Sequence, residues 1–303
     1  MATIKKTKGF SIHELWMLKG IVTLMLVVCV LNACRKNAIT QATSLEKLKV
    51  LSYNVYEGFR NDPVNIENFK KWIDTVKPDV IALQEMKNFT KIGLQSFAKD
   101  MGFSYSLMHH EAGLPVALIS KYPITNVKSV PSNLHLIEAT ILDYHFFVIH
   151  LSPLTYDFRK SEMEIILQRT KSIAKHEKIL MMGDFNNMSP QDASFYDNTA
   201  KMDLVKASEV NNPGTKVLNN GQIDYTTIQN IINEDFYDTW KMFRANYEKS
   251  APTKLRNHNN FTRIDYIWIN KTLTADYQQA YLVKDTFTDY LSDHYPMILI
   301  LKR

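Results

Sequence analysis

The sequence predicts an α+β domain in which mixed β-sheets are covered by helices. Apolar runs with strand character recur along most of the chain, and segments with helical periodicity separate several of them. Strand pairs that are joined tightly, together with strands separated by a helix, indicate mixed sheets within one domain. The predicted strands cover residues 49–54, 80–85, 116–120, 134–142, 146–151, 179–184, 263–269 and 297–301.

The chain begins with a segment that is typical of an export signal. Residues 21–31 form an apolar run of 11 residues behind a lysine-bearing stretch. This run is shorter than the ~20 residues of a spanning helix but matches the core of a signal peptide. The sequence LNAC at 31–34 follows and resembles the lipobox of bacterial lipoproteins, whose cysteine is lipidated.

We therefore predict a signal peptide with a lipobox over residues 1–33, lipidation of Cys34 and a tether over residues 34–47. The protein is then exported and held on a membrane by its N-terminal lipid, facing the periplasm or the exterior of a bacterium. An uncleaved membrane anchor is the alternative, and Met17 is a second candidate start codon.

The predicted signal peptide carries most of the net charge, and no cysteine lies beyond Cys34. Residues 1–33 contain four lysines and one glutamate, so the body that follows has a net charge of only +2. Duplex nucleic acid is bound through a clustered basic surface, and a near-neutral body argues against binding by charge alone. Because Cys29 and Cys34 are the only cysteines, the body cannot form a disulfide or a zinc–thiolate site.

Two helices are predicted from apolar residues that recur three and four positions apart. The first covers residues 66–76 and ends before Pro78, and the second covers residues 163–174. The polar stretches 205–235 and 246–262 are expected to be loops at the rim of the domain.

Polar side chains end several of the predicted strands. They are Asn54, Glu85, His150 and the pair Asp184 and Asn186. A single polar residue at a strand end has an ordinary explanation, because every loop must begin with one. Several together, of types that bind hard cations or transfer protons, indicate a functional site at the strand ends of a rigid scaffold.

Asp265 has a different signature. The alternation in RIDYIWI at 263–269 places its carboxylate on the same face as Ile267 and Ile269, which we expect to be buried. A buried charge requires a partner. The alternatives are an ion pair with Arg263, a backbone cap, or His294 in the segment before the last strand, and we favour His294.

Seven short motifs run through the body in a fixed order. They are SYNVYEG at 52–58, DVIALQE at 79–85, LISKYPI at 118–124, VIHLSP at 148–153, GDFNNMSP at 183–190, RIDYIWIN at 263–270 and SDHYPMI at 292–298. This series resembles the endonuclease/exonuclease/phosphatase superfamily, which includes deoxyribonuclease I, abasic-site endonucleases, neutral sphingomyelinases and inositol-polyphosphate phosphatases. The resemblance implies one domain over residues 48–303. Its implied fold is a four-layer α/β/β/α sandwich with two packed mixed sheets between helices.

The resemblance implies a metal site with oxygen ligands. Glu85 matches the principal metal carboxylate, supported by Asn54 and by Asp293 from the final loop. Such a set suits Mg²⁺, with Mn²⁺ as a substitute.

The resemblance also implies the catalytic groups. Asp265 matches the residue that orients His294 and stabilises its charged form. Asp184 and Asn186 match the groups that align the attacking water and hydrogen-bond the phosphate. His150 matches a second histidine, which contacts the phosphate or protonates the leaving oxygen. The implied reaction is in-line attack of water without a covalent intermediate, and either Asp184 or His294 takes the proton of the water.

Part of the family's pattern has no clear counterpart in this sequence. The acidic partner of the second histidine is one such group, and Glu111 and Glu138 are the candidates for it. The basic residues expected in rim loops, which either hold substrate phosphate or face solvent, are Arg159, Lys254, Arg256 and His258.

We predict a monomeric, divalent-metal-dependent nuclease or phosphodiesterase. The alternatives are a sphingomyelin or phospholipid phosphodiesterase, an inositol-phosphate phosphatase, and a surface binding protein on an inactive hydrolase scaffold. The last is disfavoured because every motif position that should carry a catalytic group does so. A fold alone does not define a substrate.

Overall fold

The computed structural model describes residues 47–256 and 258–303, and the predicted signal peptide, Cys34 and the tether up to residue 46 lie outside them. Two six-stranded sheets form the centre of this part of the chain. The first sheet has the order β13 (Tyr277–Leu282), β14 (Met297–Lys302), β1 (Lys47–Asn54), β2 (Val80–Gln84), β4 (Ala117–Ser120) and β3 (Tyr105–Met108). The second has the order β11 (Phe236–Asp238), β12 (Asp265–Asn270), β8 (Lys178–Asp184), β7 (Tyr144–His150), β6 (Leu136–Ile141) and β5 (Ile124–Thr125). A small hairpin pairs β9 (Leu218–Asn219) with β10 (Gln222–Ile223).

The two sheets pack face to face because successive side chains of a strand point to opposite faces. Val50 of β1 lies in the cluster between the sheets, with Val148 of β7 and Ile267 of β12. Tyr53 of the same strand points outward and packs against Trp72, with ring centroids 5.9 Å apart. The interior of the domain is therefore a sandwich of two apolar sheet faces.

Helices cover the outer faces of both sheets. The helices are α1 (Pro63–Val76), α2 (Lys91–Asp100), α3 (Tyr156–Lys171), α4 (Ala193–Tyr196), α5 (Ala200–Asn211), α6 (Thr226–Asn233) and α7 (Thr288–Leu291), with short 3₁₀ segments at Pro190–Asp192 and Lys271–Asp276. Buried side chains of α1 and α2 join the outer cluster of the first sheet, and those of α3 and α6 join that of the second. The predicted four-layer sandwich is thus confirmed. Within the described ranges, the helices are all too short or too polar to cross a bilayer.

All eight predicted strands and both predicted helices are present, although α3 begins earlier than its apolar pattern. The prediction of a loop over 205–235 was wrong, because this stretch contains most of α5 and all of α6. α5 buries only Met202 and Val205, so its polar majority hides the periodicity, whereas α6 has isoleucines at helical spacing but is only eight residues long.

Candidate active site

Parallel pairing brings the polar strand ends to one edge of the sandwich. β1 runs parallel to β2, and β7 runs parallel to β8, so the carboxyl ends of each pair lie side by side. Asn54 is in register with Gln84, which precedes Glu85, and His150 is in register with Asp184.

Gly183 allows β7 and β8 to approach each other immediately before Asp184. Its φ is +145°, and a Cβ at this position would lie 1.8 Å from the carbonyl oxygen of Ile149. Only glycine fits such an approach. On the other side of β8, Asp265 of β12 is in register with Asp184, so the two carboxylates lie on neighbouring strands.

Asn54 links the carboxylates of the two sheets. Its Nδ2 donates to Oε1 of Glu85 at 3.0 Å and to Oδ2 of Asp184 at 2.9 Å, while its Oδ1 accepts the backbone N–H of Tyr56 at 3.0 Å. The side chain is completely buried, and these bonds fix its amide. A direct bond from its oxygen to a metal would require the amide to turn over, so the predicted role as a metal ligand stays a prediction.

A left-handed turn supports Glu85. Residues 56–61 all have φ between +47° and +67°, and Glu85 itself has φ +61°. The backbone N–H of Glu57 donates to Oε2 of Glu85 at 2.9 Å, and the N–H of Gly58 donates to its carbonyl at 2.6 Å. A Cβ on Gly58 would lie 2.2 Å from the carbonyl oxygen of Lys87, so glycine is required there as well.

Three side chains at this edge fit a divalent cation. Nε2 of His150 lies 3.8 Å from Oε1 of Glu85 and from Oδ2 of Asp184, and the ligand atoms of the three residues all lie within 4.8 Å of one another. The two carboxylates are bridged by a neutral amide rather than by a positive group. Paired carboxylates with free lone pairs suit a hard cation such as Mg²⁺ or Mn²⁺.

Asp265 pairs with His294 and not with Arg263. Its Oδ2 accepts a hydrogen bond from Nδ1 of His294 at 2.8 Å, whereas the buried Arg263 forms ion pairs with Asp192 and Asp238. A carboxylate accepts, so Nδ1 of His294 carries a proton in this pair.

The surrounding charges favour the protonated form of His294. Burial alone would lower its pKa, but the negative charges of Asp265 and Asp184 raise that pKa well above the ordinary value. Nε2 of His294 lies 3.8 Å from Oδ2 of Asp184. Burial raises the pKa of Asp184, whereas the charges of His294 and His150 act in the opposite direction.

Asn186 and the final loop complete this edge. The backbone N–H of Asn186 donates to Oδ1 of Asp184 at 2.8 Å, and its Nδ2 donates to the carbonyl of Leu151 at 2.9 Å. The hydroxyl of Ser292 donates to the carbonyl of Asn54 at 2.7 Å, which joins the final loop to β1.

Asp293 faces Arg256 and is not part of the group formed by Glu85, His150 and Asp184. Its Oδ2 is 3.5 Å from Nε of Arg256, and it belongs to neither of the two acidic and histidine groups found in residues 47–256 and 258–303. Its role as a metal ligand stays a prediction. Arg256 in turn stacks over the ring of Tyr56, 4.8 Å from its centroid, beside the left-handed turn.

Several expectations about neighbouring residues were wrong. Arg159 lies in α3 and is completely buried rather than in a rim loop. The two candidates for the acidic partner of His150 have other partners. Glu138 forms an ion pair with Arg169 at 2.5 Å, and Glu111 accepts the backbone N–H of Lys91 at 2.6 Å.

The sequence did not reveal Ser250, whose Oγ accepts the backbone N–H groups of Ile264 at 3.0 Å and Asp265 at 3.1 Å. This serine fixes the start of β12 and thereby the position of the Asp265 carboxylate. A lone serine in a loop carries no recognisable signal.

Known proteins with solved structures share this fold. An AP endonuclease from Archaeoglobus fulgidus superposes with a TM-score of 0.64 at 16% identity, over 84% of this chain and 99% of that one. A 3' phosphatase from Neisseria bound to a product DNA hairpin gives 0.62 at 15% identity, over 83% and 98%. An endonuclease/exonuclease/phosphatase from Beutenbergia cavernae gives 0.57 at 15% identity, over 85% and 72%. At identities of 15–16%, these comparisons show a shared fold only.

At the level of sequence, no curated protein matches the chain. The profile of the Endonuclease/Exonuclease/phosphatase family, however, matches residues 51–294, which include every strand end described above. The chain therefore belongs to the endonuclease/exonuclease/phosphatase family of enzymes that hydrolyse phosphoester bonds.

Proposed function

We propose that this enzyme is a Mg²⁺-dependent phosphodiesterase that hydrolyses nucleic acid by in-line attack of water on phosphorus. The observation that carries the proposal is the convergence of Glu85, Asp184 and His150 with the Asp265–His294 pair at one edge of the sandwich. The carboxylates can bind a divalent cation, and the imidazolium can neutralise negative charge on the phosphate. Both groups stabilise the transition state of phosphodiester hydrolysis.

Glu85 is the residue that would hold the cation, with Asn54 and Asp293 as the other members of the predicted metal set. When bound, a divalent ion polarises the phosphate oxygen and lowers the pKa of coordinated water. Mn²⁺ is expected to substitute, because it accepts the same oxygen ligands.

His294 acts in this proposal as an electrostatic catalyst. Because Asp265 and Asp184 favour its protonated form, it is better suited to neutralise charge on the phosphate than to remove a proton from water. Asp265 fixes the ring through Nδ1 and leaves Nε2 on the side of Asp184.

Asp184 is then the group best placed to align the attacking water and accept its proton. Its Oδ1 is held by the backbone of Asn186, and its Oδ2 lies 3.8 Å from both His150 and His294. Asn186 and His150 flank it and are proposed to contact the phosphate or the leaving oxygen.

The substrate is tested by turnover of DNA, RNA, sphingomyelin, inositol phosphates and bis-p-nitrophenyl phosphate. We expect metal-dependent hydrolysis of nucleic acid and of the small diester, with Asp184→Asn as the inactive control. Hydrolysis of sphingomyelin or inositol phosphates without cleavage of DNA or RNA would contradict the proposed substrate and leave the reaction type intact.

We further propose that the enzyme is an exported lipoprotein, held on a membrane through Cys34 and monomeric. The LNAC motif behind an 11-residue apolar run supports this proposal. Such an anchor places the active site outside the cytoplasm.

A further inference from the structure

Arg256 extends from the loop between β11 and β12 to the rim of the active site. Its guanidinium lies over the ring of Tyr56, 4.8 Å from the ring centroid, and its Nη2 donates a hydrogen bond to the hydroxyl of that tyrosine. Its Nε faces Oδ2 of Asp293 at 3.5 Å. Tyr56 begins the left-handed turn that supports Glu85, and Asp293 immediately precedes His294. The guanidinium therefore lies between the two segments that hold the proposed metal carboxylate and the proposed catalytic imidazole.

Hydrogen bonds fix the backbone that carries Arg256. The N–H of Thr253 donates to the carbonyl of Asp293 at 3.0 Å, and its hydroxyl donates to the carbonyl of Ser292 at 2.5 Å. The N–H of Leu255 donates to a carbonyl of α7 at 3.0 Å. These three bonds join the loop to the segment that leads into the active site, so the side chain of Arg256 starts from a fixed position at the catalytic edge.

The charge of Arg256 is only loosely paired. A charge-assisted hydrogen bond between a guanidinium and a carboxylate is about 2.7–2.9 Å long, so at 3.5 Å Arg256 and Asp293 attract each other without such a bond. Lys254 of the same loop, by contrast, contacts Asp289 at 2.7 Å. The side chain of Arg256 is 47% exposed, so an anion that arrives from solvent can reach it.

The arrangement of Arg256 on Tyr56 suits a phosphate group. A guanidinium has five N–H donors in a planar fork, which can bond to two oxygens of one phosphate. Within residues 47–256 and 258–303, Nη2 is the only side-chain nitrogen of Arg256 that donates a hydrogen bond. Stacking on an aromatic ring uses the face of the guanidinium and leaves the donors at its edge available. Tyr56 therefore orients the fork and leaves most of its donors without a partner.

We propose that Arg256 binds a second phosphate of the substrate, next to the phosphate that is hydrolysed. This inference rests on the proposed function, in which the second phosphate belongs to the neighbouring nucleotide of a nucleic acid strand. His294 neutralises the phosphate that reacts, whereas Arg256 holds a phosphate that stays intact. Such a contact is the same before and during the reaction, so it contributes to the binding of a polymeric substrate more than to the chemical step.

The proposal is tested by comparing a substrate that has several phosphates with a substrate that has one. In the full-length protein at saturating Mg²⁺, kcat/KM is measured for a single-stranded DNA oligonucleotide and for bis-p-nitrophenyl phosphate, which has only the reacting phosphate. Arg256→Gln should lower the ratio of the first value to the second about tenfold, as expected for the loss of a hydrogen bond to a charged group. Lys171→Gln is the matched control and should keep the ratio, because Lys171 ends α3, is also 47% exposed and pairs with Glu234.

A salt series separates the charge of Arg256 from the shape of its fork. The Kd of the same oligonucleotide is measured on the Asp184→Asn protein, which is expected to bind without hydrolysis. Adding Arg256→Gln should raise the Kd about tenfold and reduce the slope of log Kd against log salt by about 0.7, the contribution of one phosphate in a single strand. Adding Arg256→Lys should keep the slope and recover only part of the affinity, because lysine keeps the charge and lacks the planar fork.

Three outcomes would contradict the proposal. If the oligonucleotide is hydrolysed and Arg256→Gln changes neither the ratio nor the slope, the inference is wrong and the proposed function stands. An equal loss of kcat/KM on both substrates would show that Arg256 supports the site itself, which also overturns the inference. If the wild type hydrolyses no nucleic acid, the proposed function fails and the inference fails with it.

Discussion

Replacement of Asp265 by asparagine removes one negative charge and keeps the shape of the side chain, so it isolates the electrostatic part of the pair with His294. The bond is 2.8 Å long, and the side chains of Asp265 and His294 are only 5% and 11% exposed. A hydrogen bond to a charged group contributes about 1.5–3 kcal/mol. If this contribution is lost in the transition state, kcat falls about 10- to 150-fold.

The assay is kcat for bis-p-nitrophenyl phosphate at saturating Mg²⁺. Asp143→Asn is the matched control, because that carboxylate is 62% exposed and pairs with Lys178 on the surface. Asp265→Asn and His294→Ala should not be additive, since the two residues act as one unit. A kcat for Asp265→Asn within twofold of the wild type, or full additivity in the double variant, would refute this account of the pair.

The same pair predicts a pH dependence of stability. The pKa of His294 is raised in the folded protein, so its pairing stabilises the fold fully below the ordinary histidine value of 6.5 and is lost as pH rises through the raised value. In urea unfolding, the difference in free energy between the wild type and Asp265→Asn should shrink as pH increases through this window. A difference that grows with pH would give the opposite sign and exclude the charged pair.

The remaining predictions concern backbone fit, metal binding and the anchor. Gly183→Ala should destabilise the fold by about 3 kcal/mol or more in urea unfolding, because its Cβ would meet the carbonyl of Ile149, whereas Gly214→Ala, with open space around it, should change stability little. Glu85→Gln should raise the Mg²⁺ concentration needed for half-maximal activity with the fold intact by circular dichroism, and full wild-type activity in excess chelator would refute metal dependence. Cys34→Ser should move the protein from the detergent phase to the aqueous phase, or trap the precursor, without changing kcat on a soluble substrate. Membrane fractionation of a chain that lacks residues 1–33 would place the anchor elsewhere.

The pairing of Asp265 with His294 could be predicted from sequence because the burial of Asp265 follows a simple geometric rule. Alternation along a strand has a period of two, so the position of Asp265 between apolar neighbours already indicated a buried carboxylate, and the structure supplies His294 as its partner. The strand ends were predictable for a related reason, since apolar runs define where each strand stops.

Other features of the fold and the site could not be predicted, because the local sequence pattern does not indicate them. α6 carries Ile228, Ile231 and Ile232 at helical spacing, but it is only eight residues long and lies within a long polar stretch, so its periodicity was missed. The edge strand β13 shows no apolar alternation because it buries only Ala280 and leaves its other side chains partly or fully exposed. The orientation of the Asn54 amide is set by a backbone N–H two residues later and by carboxylates from two sheets, so only the folded chain determines it.

The left-handed turn at 56–61 stores conformational energy beside the carboxylate of Glu85. An L-residue in this region costs roughly 1–2 kcal/mol, and five of the six residues are not glycine. The turn persists because Phe59 is completely buried against Phe69, with ring centroids 4.9 Å apart, and because two of its backbone N–H groups bond to Glu85. Relaxation of this backbone would withdraw both donors from Glu85 at once. We therefore expect that a change in the aromatic core beneath the turn can abolish hydrolysis, while every side chain proposed to contact the phosphate remains in the sequence.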